Sequence, residues 1–208
     1  MTTRRQQLTE EMKAAIRSAA AALFAEKGYS AVTMREIAKA AGCSHTAIYL
    51  YFRNKEELLQ QIAIPSLLTL EQKLLDEISK PDTAARDKLL AVCSEYVLFS
   101  LTSGSLQTVL FMSASVRVDE LQPELEVNVI RNRLFAHIMK VLHTAVSERS
   151  EEVTQEAALN NGRILFYYLQ GFISTYSNHS EPTDELLART LPIFKQGIHT
   201  LIRGMHSH

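Results

Sequence analysis

The sequence predicts an all-α fold, in which an N-terminal domain of three helices is followed by a larger helical bundle. Apolar residues recur at intervals of three and four along most of the chain, and no segment alternates apolar and polar residues as a half-buried strand does. Helix boundaries are marked by breakers such as Gly42, Gly104 and Pro182. With 208 residues, of which 46% are hydrophobic, the chain is long enough to bury a substantial core.

A short helix is predicted to begin at Thr33. Thr33 can cap the helix with its hydroxyl, while Glu36, three residues later, can reach back to the Thr33 amide, which is a capping box. Ile37 and Ala38 then supply an apolar face. Gly42 follows where a helix commonly ends in a left-handed residue, so we expect the chain to turn sharply there.

A second short helix is predicted to follow that turn within a few residues. Ser44 is a suitable N-cap, and Ile48 and Phe52, four residues apart, point to one buried face. Two short helices joined by a turn of this length form a helix-turn-helix. In DNA-binding proteins of this type the second helix lies in the major groove.

The remainder of the chain is predicted to be helical. Asn54 with Glu57 opens a helix that extends to about Ser79, and Pro65 within it marks either a kink or the junction of two helices. Four more helices and one short apolar segment are expected in the following ranges: 81–101, the apolar segment 106–115, 123–148, 152–178 and 183–204. We therefore expect a helix-turn-helix DNA-binding domain over residues 1–53 and a second, helical domain over residues 54–208.

The first sixty residues resemble the N-terminal domain of the TetR family of transcriptional regulators. The resemblance covers about residues 9–60 and is carried by Thr33, Ile37-Ala38-Lys39-Ala40-Ala41-Gly42, Ser44, Tyr49-Leu50-Tyr51-Phe52, Asn54 and Lys55-Glu56-Glu57-Leu58. One departure is His45-Thr46-Ala47, where members often carry a small Gly or Pro followed by Thr. An operator sequence is therefore not transferred from relatives.

The start of the recognition helix supplies the expected base-reading residues, which are His45, Thr46, Ala47 and Tyr49. His45 and Thr46 can form hydrogen bonds, whereas Ala47 offers an apolar contact such as one to a thymine methyl group. By resemblance, four further residues would hold backbone phosphates: Thr33, Ser44, Tyr51 and Lys55. Each has a structural alternative, namely capping for the threonine and serine, packing for the tyrosine and simple solvation for the lysine.

The distribution of charge agrees with double-stranded DNA as the partner. The chain has a net charge of −1, but residues 1–60 hold nine Lys or Arg and six Asp or Glu, a balance of +3, which leaves thirteen against seventeen, or −4, for the remainder. No run of 18 apolar residues is present, so we expect a cytoplasmic protein without membrane association. Cys43 and Cys93 are fifty positions apart and form no metal or redox motif.

The bundle is expected to bind an effector and to dimerise. Tyr168, Phe172 and Tyr176 form a stripe at intervals of four. By resemblance, the last two helices would form the interface of a homodimer, for which we select Phe172 and Tyr176. Earlier helices would enclose the effector cavity, with six candidate residues: Tyr96, Phe99, Phe111, Met112, Phe135 and Tyr168. Each of these could instead be ordinary core.

No catalytic motif is present, so we expect no enzymatic activity, no cofactor and no metal site. The resemblance implies a homodimeric repressor that a largely apolar small molecule releases from a palindromic operator. Two alternatives remain open. One is an activator or a co-repressor-dependent regulator, and the other is a helical ligand-binding or scaffold protein without a DNA function.

Overall fold

The computed structural model describes residues 4–102, 126–147, 154–177 and 180–205. These residues form seven α-helices and one short 3-10 helix, and they include no strand, which confirms the all-α prediction. The helices are α1 (Arg4–Lys27), α2 (Met34–Ala40), the 3-10 helix (Ala47–Leu50), α3 (Lys55–Ile78), α4 (Ala85–Thr102), α5 (Glu126–Ser147), α6 (Gln155–Tyr176) and α7 (Thr183–Met205). The expected apolar segment 106–115 lies outside the described residues.

The N-terminal domain closes around side chains from four elements. Its core residues are buried and come from α1, α2, the 3-10 helix and the segment that follows it: Ile16, Ala20, Phe24, Ile37, Ala38, Ile48 and Phe52. Helix α1 packs against both α2 and α3. Ile48 and Phe52 therefore point inward as the sequence predicts, and the opposite side of that segment faces solvent.

The second helix of the helix-turn-helix is shorter than the sequence analysis suggested. Only Ala47–Leu50 is helical, and it has 3-10 geometry. The Ile48 and Phe52 amides donate to carbonyls four residues back, at 3.2 and 3.0 Å, whereas the Tyr51 amide donates to Ile48, three residues back, at 3.1 Å. The length of this helix is limited by the two caps that flank it. Ser44 caps this segment and Asn54 caps α3, which leaves about two helical turns between them.

Helix α3 is continuous through Pro65, which decides between the two readings of that proline. The Asn54 side-chain oxygen accepts from the Glu57 amide at 2.7 Å, so the predicted cap is present. Pro65 is exposed and lacks an N–H, so it removes one bond from the solvent side of the helix without ending it. A single helix of 24 residues thus joins the N-terminal domain to the bundle.

The bundle is centred on α3, α4 and α5, which pack against one another, and α6 and α7 pack on α4. Helices α6 and α7 approach closely at Gly197. A Cβ atom there would collide with the hydroxyl of Tyr168, which donates to the Phe194 carbonyl at 3.0 Å. The Tyr168 and Phe194 rings stack with centroids 5.4 Å apart. Gly197 therefore gives Tyr168 room to lie across α7.

Candidate nucleic-acid interface and ligand cavity

We call residues 33–52 the reader. Its first helix begins at Thr33 with the predicted capping box. The Thr33 hydroxyl accepts from the Glu36 amide at 3.3 Å, and the Thr33 amide donates to the Glu36 carboxylate at 2.9 Å. The Thr33 amide and hydroxyl both donate to the Glu36 carboxylate and, together with the Lys27 ammonium, lower the pKa of Glu36. Thr33 is exposed, so its role as a cap does not remove it from the surface.

The sharp turn after α2 is a Schellman motif centred on Gly42. Gly42 has φ of +73°, the Cys43 amide donates to the Ala38 carbonyl at 3.0 Å, and the Gly42 amide donates to Lys39 at 3.3 Å. A residue with a side chain would be strained at this φ. We call the following segment, residues 44–52, the arm of the reader; its Ile48 and Phe52 side chains are buried in the core of the domain.

That arm is fixed by Ser44 and exposes the predicted base-reading side chains. The Ser44 hydroxyl accepts from the Ala47 amide at 3.0 Å, which confirms its position as a cap. Ser44, His45, Thr46 and Tyr49 are exposed, whereas Ala47 is half-buried. Four hydrogen-bonding side chains therefore face solvent within six residues, at the start of a helical turn.

His45 and Tyr49 form a pair on the exposed face. Their rings meet edge to face, with centroids 5.3 Å apart and an interplanar angle of 87°. The Tyr49 hydroxyl lies 3.5 Å from His45 Nε2. Because each ring limits the rotation of the other, both are held in place before any partner arrives. Their hydrogen-bonding atoms can bond to the edges of neighbouring base pairs.

Lys55 occupies a position that the sequence did not predict. Its ammonium donates to the carbonyls of Tyr29 and Val32, each at 2.7 Å, and lies 4.3 Å from the centroid of the Tyr29 ring. An ammonium has three donors, so one remains for a phosphate. Lys55 thus links α3 to the turn before Thr33 through hydrogen bonds, and its ammonium is not simply solvated.

The reader also contains surface residues that the sequence analysis did not select. Leu50 is 82% exposed, which is unusual for a large apolar side chain and suits contact with an apolar part of a partner. Arg35, Lys39 and Arg53 are exposed cations on or beside the reader. The positive charge of these three residues is the feature of the sequence that could have identified them. Tyr51 is half-buried and packs against the core, although a hydroxyl at such a position can still reach a phosphate.

A narrow and mostly apolar cavity lies in the bundle among α3, α4, α5 and α6. Its lining consists of Leu67, Leu70, Tyr96, Arg131, Leu134, Phe135, Ile138, Phe166 and Leu169. Two of the six predicted effector residues, Tyr96 and Phe135, are therefore brought together. The sequence analysis missed Arg131, although an arginine on the apolar face of α5 could have been noticed.

Two of the other predicted effector residues, Phe99 and Tyr168, lie outside this cavity. Phe99 is half-buried outside the cavity, and Lys73 Nζ lies 5.7 Å from the centroid of its ring. Tyr168 lies between α6 and α7 because its ring stacks on Phe194 and its hydroxyl donates to the Phe194 carbonyl. Phe111 and Met112 lie outside the described residues.

Phe172 and Tyr176, the residues selected for the dimer interface, pack within the chain. The Phe172 ring lies 4.7 Å from that of Phe194 and 5.0 Å from that of Tyr176, and both selected residues are half-buried. The exposed apolar side chains of α6 and α7 are instead Leu159, Ile164, Tyr167 and Ile193. The stripe was correctly placed on α6, but periodicity alone could not distinguish a face toward α7 from a face toward solvent.

An ionic cluster joins α3 to α5 beside the cavity. Arg133 donates to the two oxygens of Glu71 at 2.8 and 2.7 Å, and His137 Nε2 lies 3.3 Å from one of them. Hydrogen bonds from Arg133, followed by that from His137, lower the pKa of Glu71. The arrangement fixes the register of the two helices that line the cavity.

Comparison with known proteins identifies the N-terminal domain. Residues 16–62 match the family described as bacterial regulatory proteins, tetR family. The fatty acid metabolism regulator protein of Bacillus subtilis (strain 168) is 26% identical over 186 residues, which cover 87% of this chain and 92% of that protein. No helix in the described ranges is long and apolar enough to cross a membrane.

Solved structures share the fold over most of the chain. The TetR family transcriptional regulator PfmR from Thermus thermophilus superposes with a TM-score of 0.63 at 21% identity, covering 90% of this chain and 97% of that chain. A regulator of the TetR/AcrR family from Thermobifida fusca also gives 0.63, at 20% identity, covering 89% and 97%. Residues 16–62 thus match the DNA-binding domain of TetR-type transcriptional regulators, and the chain as a whole is similar to such regulators in sequence and in fold.

Proposed function

We propose that the protein is a homodimeric repressor that leaves a palindromic operator when a small molecule enters the bundle. The observation that carries the proposal is the continuous helix α3. Its first residue, Lys55, is hydrogen-bonded to the turn that leads into the reader, and its later residues Leu67 and Leu70 line the cavity. A ligand in the cavity contacts the same rigid element that carries the reader. A displacement of α3 at the cavity therefore also moves the reader at the other end of the helix.

The proposal requires two readers, because one arm of this size contacts too few bases for tight specific binding. Ile164 and Tyr167 on α6, together with Ile193 on α7, are 45%, 67% and 67% exposed. Exposed apolar residues concentrated on neighbouring helices favour an interface with a second copy. Gly171, farther along α6, has open space where a Cβ would lie, which allows a partner helix to approach closely.

Release then follows from geometry. Two readers related by a two-fold axis must lie about 34 to 36 Å apart to enter successive major grooves on one face of DNA. A shift of α3 in each copy changes that spacing. The dimer then has two conformations, one with the reader spacing that fits DNA and one with a spacing that does not. A ligand releases the dimer from DNA if it binds the second conformation more tightly than the first. Similarity to known regulators supports a cytoplasmic and non-enzymatic protein, and we include both properties in the proposal.

A reporter assay separates the proposed function from its alternatives. A duplex selected by the purified protein is placed upstream of a reporter gene, and expression is measured with and without the protein. A repressor lowers expression, whereas an activator raises it. A co-repressor-dependent regulator lowers expression only when its ligand is supplied. Failure to select any DNA sequence would favour a ligand-binding or scaffold protein.

A further inference from the structure

Arg131 of α5 is a charged side chain in the interior of the bundle. It is only 8% exposed and lines the cavity together with Tyr96. Arginine is rarely buried to this extent unless an anion accompanies it, because removing its charge from water is costly. The position of Arg131 therefore raises the question of which anion it serves.

Within the described ranges, the neighbours of Arg131 do not supply that anion. Its Nη1 donates at 3.4 Å to the side-chain oxygen of Asn128, which is a neutral acceptor one turn away. Its Nε has no acceptor there, and the same holds for the buried Nδ2 of Asn128. Two buried donor groups on one face of α5 are thus left without partners.

The ionic cluster beside the cavity does not balance the charge either. Glu71 is bound by Arg133 and His137, so its oxygens are already engaged. Burial lowers the pKa of Arg131, and the group that opposes this effect is Tyr96. A guanidinium nevertheless stays protonated in proteins, so the charge persists in the apolar surroundings.

The rest of the cavity is apolar, and its volume of about 10 Å³ without a ligand holds about one water molecule, so a larger guest enters only as the surrounding helices move apart. Apolar side chains from three helices form its walls: Leu67, Leu70, Phe135, Ile138, Phe166 and Leu169. The Tyr96 hydroxyl accepts from Gln170 Nε2 at 3.2 Å, which leaves its own proton free to be donated. Burial raises the pKa of Tyr96, so the hydroxyl remains a neutral donor.

We propose that the cavity binds a small amphipathic carboxylate, whose anionic head pairs with the Arg131 guanidinium and whose apolar body lies against the side chains of α3, α5 and α6. The carboxylate has two oxygens for the unpartnered Nε and for a second donor such as the Tyr96 hydroxyl. A neutral apolar ligand would leave the charge unbalanced. This inference rests on the proposed effector function of the bundle and specifies the chemical class of the effector.

The test is calorimetry on the full-length protein with four probes of one chain length: octanoate, octanol, octylamine and octyl phosphate. We expect octanoate to bind about tenfold or more tightly than octanol, in keeping with a charge-assisted pair. Arg131→Met should abolish that preference. Lys140→Met, at an exposed position of α5, is the matched control and should retain it. Octanol binding as tightly as octanoate, or a preference that survives in Arg131→Met, would overturn the proposal. Selective binding of octyl phosphate alone would also overturn it.

The stability of the unliganded protein supplies a second readout. Replacing an unbalanced buried charge by an apolar side chain of similar length is often neutral or stabilising, so Arg131→Met should melt at the same temperature as the wild type or higher. Octanoate should raise the melting temperature of the wild type but not of Arg131→Met. A large loss of stability in Arg131→Met would indicate an anionic partner within the chain and would contradict the proposal.

Operator binding is measured separately, so the two proposals can fail independently. Arg131-dependent binding of octanoate without any effect on operator affinity would leave the carboxylate site standing and reject effector release through it. An operator complex that neutral ligands dissociate as well as carboxylates would leave effector release standing and reject the carboxylate site.

Discussion

The Lys55 ammonium is bonded to the backbone carbonyl of Tyr29 at 2.7 Å and lies 4.3 Å from the centroid of the same residue's ring. A second bond, to the Val32 carbonyl, is equally short at 2.7 Å. The first residue of α3 therefore holds the turn that leads into the reader at Thr33. Lys55 connects the helix that lines the cavity to the domain that faces DNA.

Replacing Lys55 with Met should weaken both the fold and DNA binding. The change removes the Lys55 bond to the Val32 carbonyl and leaves the Tyr29 carbonyl with only the longer bond from the Val32 amide, at 3.4 Å. We therefore expect the free energy of unfolding to fall by about 1 to 3 kcal/mol in urea denaturation. If the third donor contacts a phosphate, the salt dependence of DNA affinity should also fall by about one unit. Lys39→Met, at an exposed position of α2, is the control for stability. An unchanged urea midpoint would reject the structural role of Lys55, and an unchanged salt slope would reject its phosphate contact.

Replacing His45 with Ala should change sequence preference more than overall affinity for DNA. The side chain is exposed and held against Tyr49, and one good base contact contributes about 1 to 3 kcal/mol of discrimination. Selection of random duplexes should therefore show a relaxed preference at one or two positions. His143→Ala, at an exposed site on α5, should leave the preference unchanged. Identical profiles for His45→Ala and the wild type would exclude base reading by His45.

These residues show how far the sequence could lead. Caps and turns are local, so Thr33, Gly42, Ser44 and Asn54 are all found in their predicted roles. The partners of Lys55 lie more than twenty residues away, so its spacing from the reader carried no information about them. Tertiary contacts of this kind cannot be deduced from periodicity.

The bundle illustrates the same limit for side-chain direction. The aromatic stripe on α6 was identified, but periodicity does not state which helix it faces, and Phe172 proves to contact Phe194 of its own chain. Arg131 carried a usable signal because it falls among apolar residues such as Ile130, Leu134 and Ile138 at helical spacing. A charged residue on such a face either forms an ion pair within the chain or has a function. Only the structure could distinguish these two alternatives.

Glu71 should contribute stability that is lost in acid. Its pKa is lowered in the folded protein, chiefly by the hydrogen bonds from Arg133, from an ordinary value of about 4.5. The contribution is therefore fully present above that value and disappears as the pH falls through the lower folded-state pKa. At pH near 7, Glu71→Gln should reduce the free energy of unfolding by about 1 kcal/mol. The difference from wild type should shrink in acid, whereas Glu11→Gln should show little difference at any pH. A difference independent of pH would contradict this account.

Charges placed on the exposed face of α6 and α7 should separate the proposed dimer into folded monomers. Tyr167→Glu and Ile193→Glu act at side chains that are each 67% exposed, so the fold of one chain should survive. Leu68→Glu, at a 44% exposed position on α3, is the control and should remain dimeric. Phe172→Glu should instead unfold the chain, because it places a charge against Phe194. Sedimentation equilibrium with circular dichroism distinguishes these outcomes. A dimer that persists in both Tyr167→Glu and Ile193→Glu would refute the proposed interface.

The most direct test of the regulatory account is selection of random duplex DNA by the purified full-length protein, followed by measurement of affinity and stoichiometry on the selected sequence. We expect a palindrome with half-sites about one helical turn, or a multiple of it, apart, bound by an even number of chains. A scrambled duplex should bind about a thousandfold or more weakly. If instead the protein recovers no common sequence and binds selected and scrambled DNA with the same affinity and the same salt dependence, the reader does not recognise an operator.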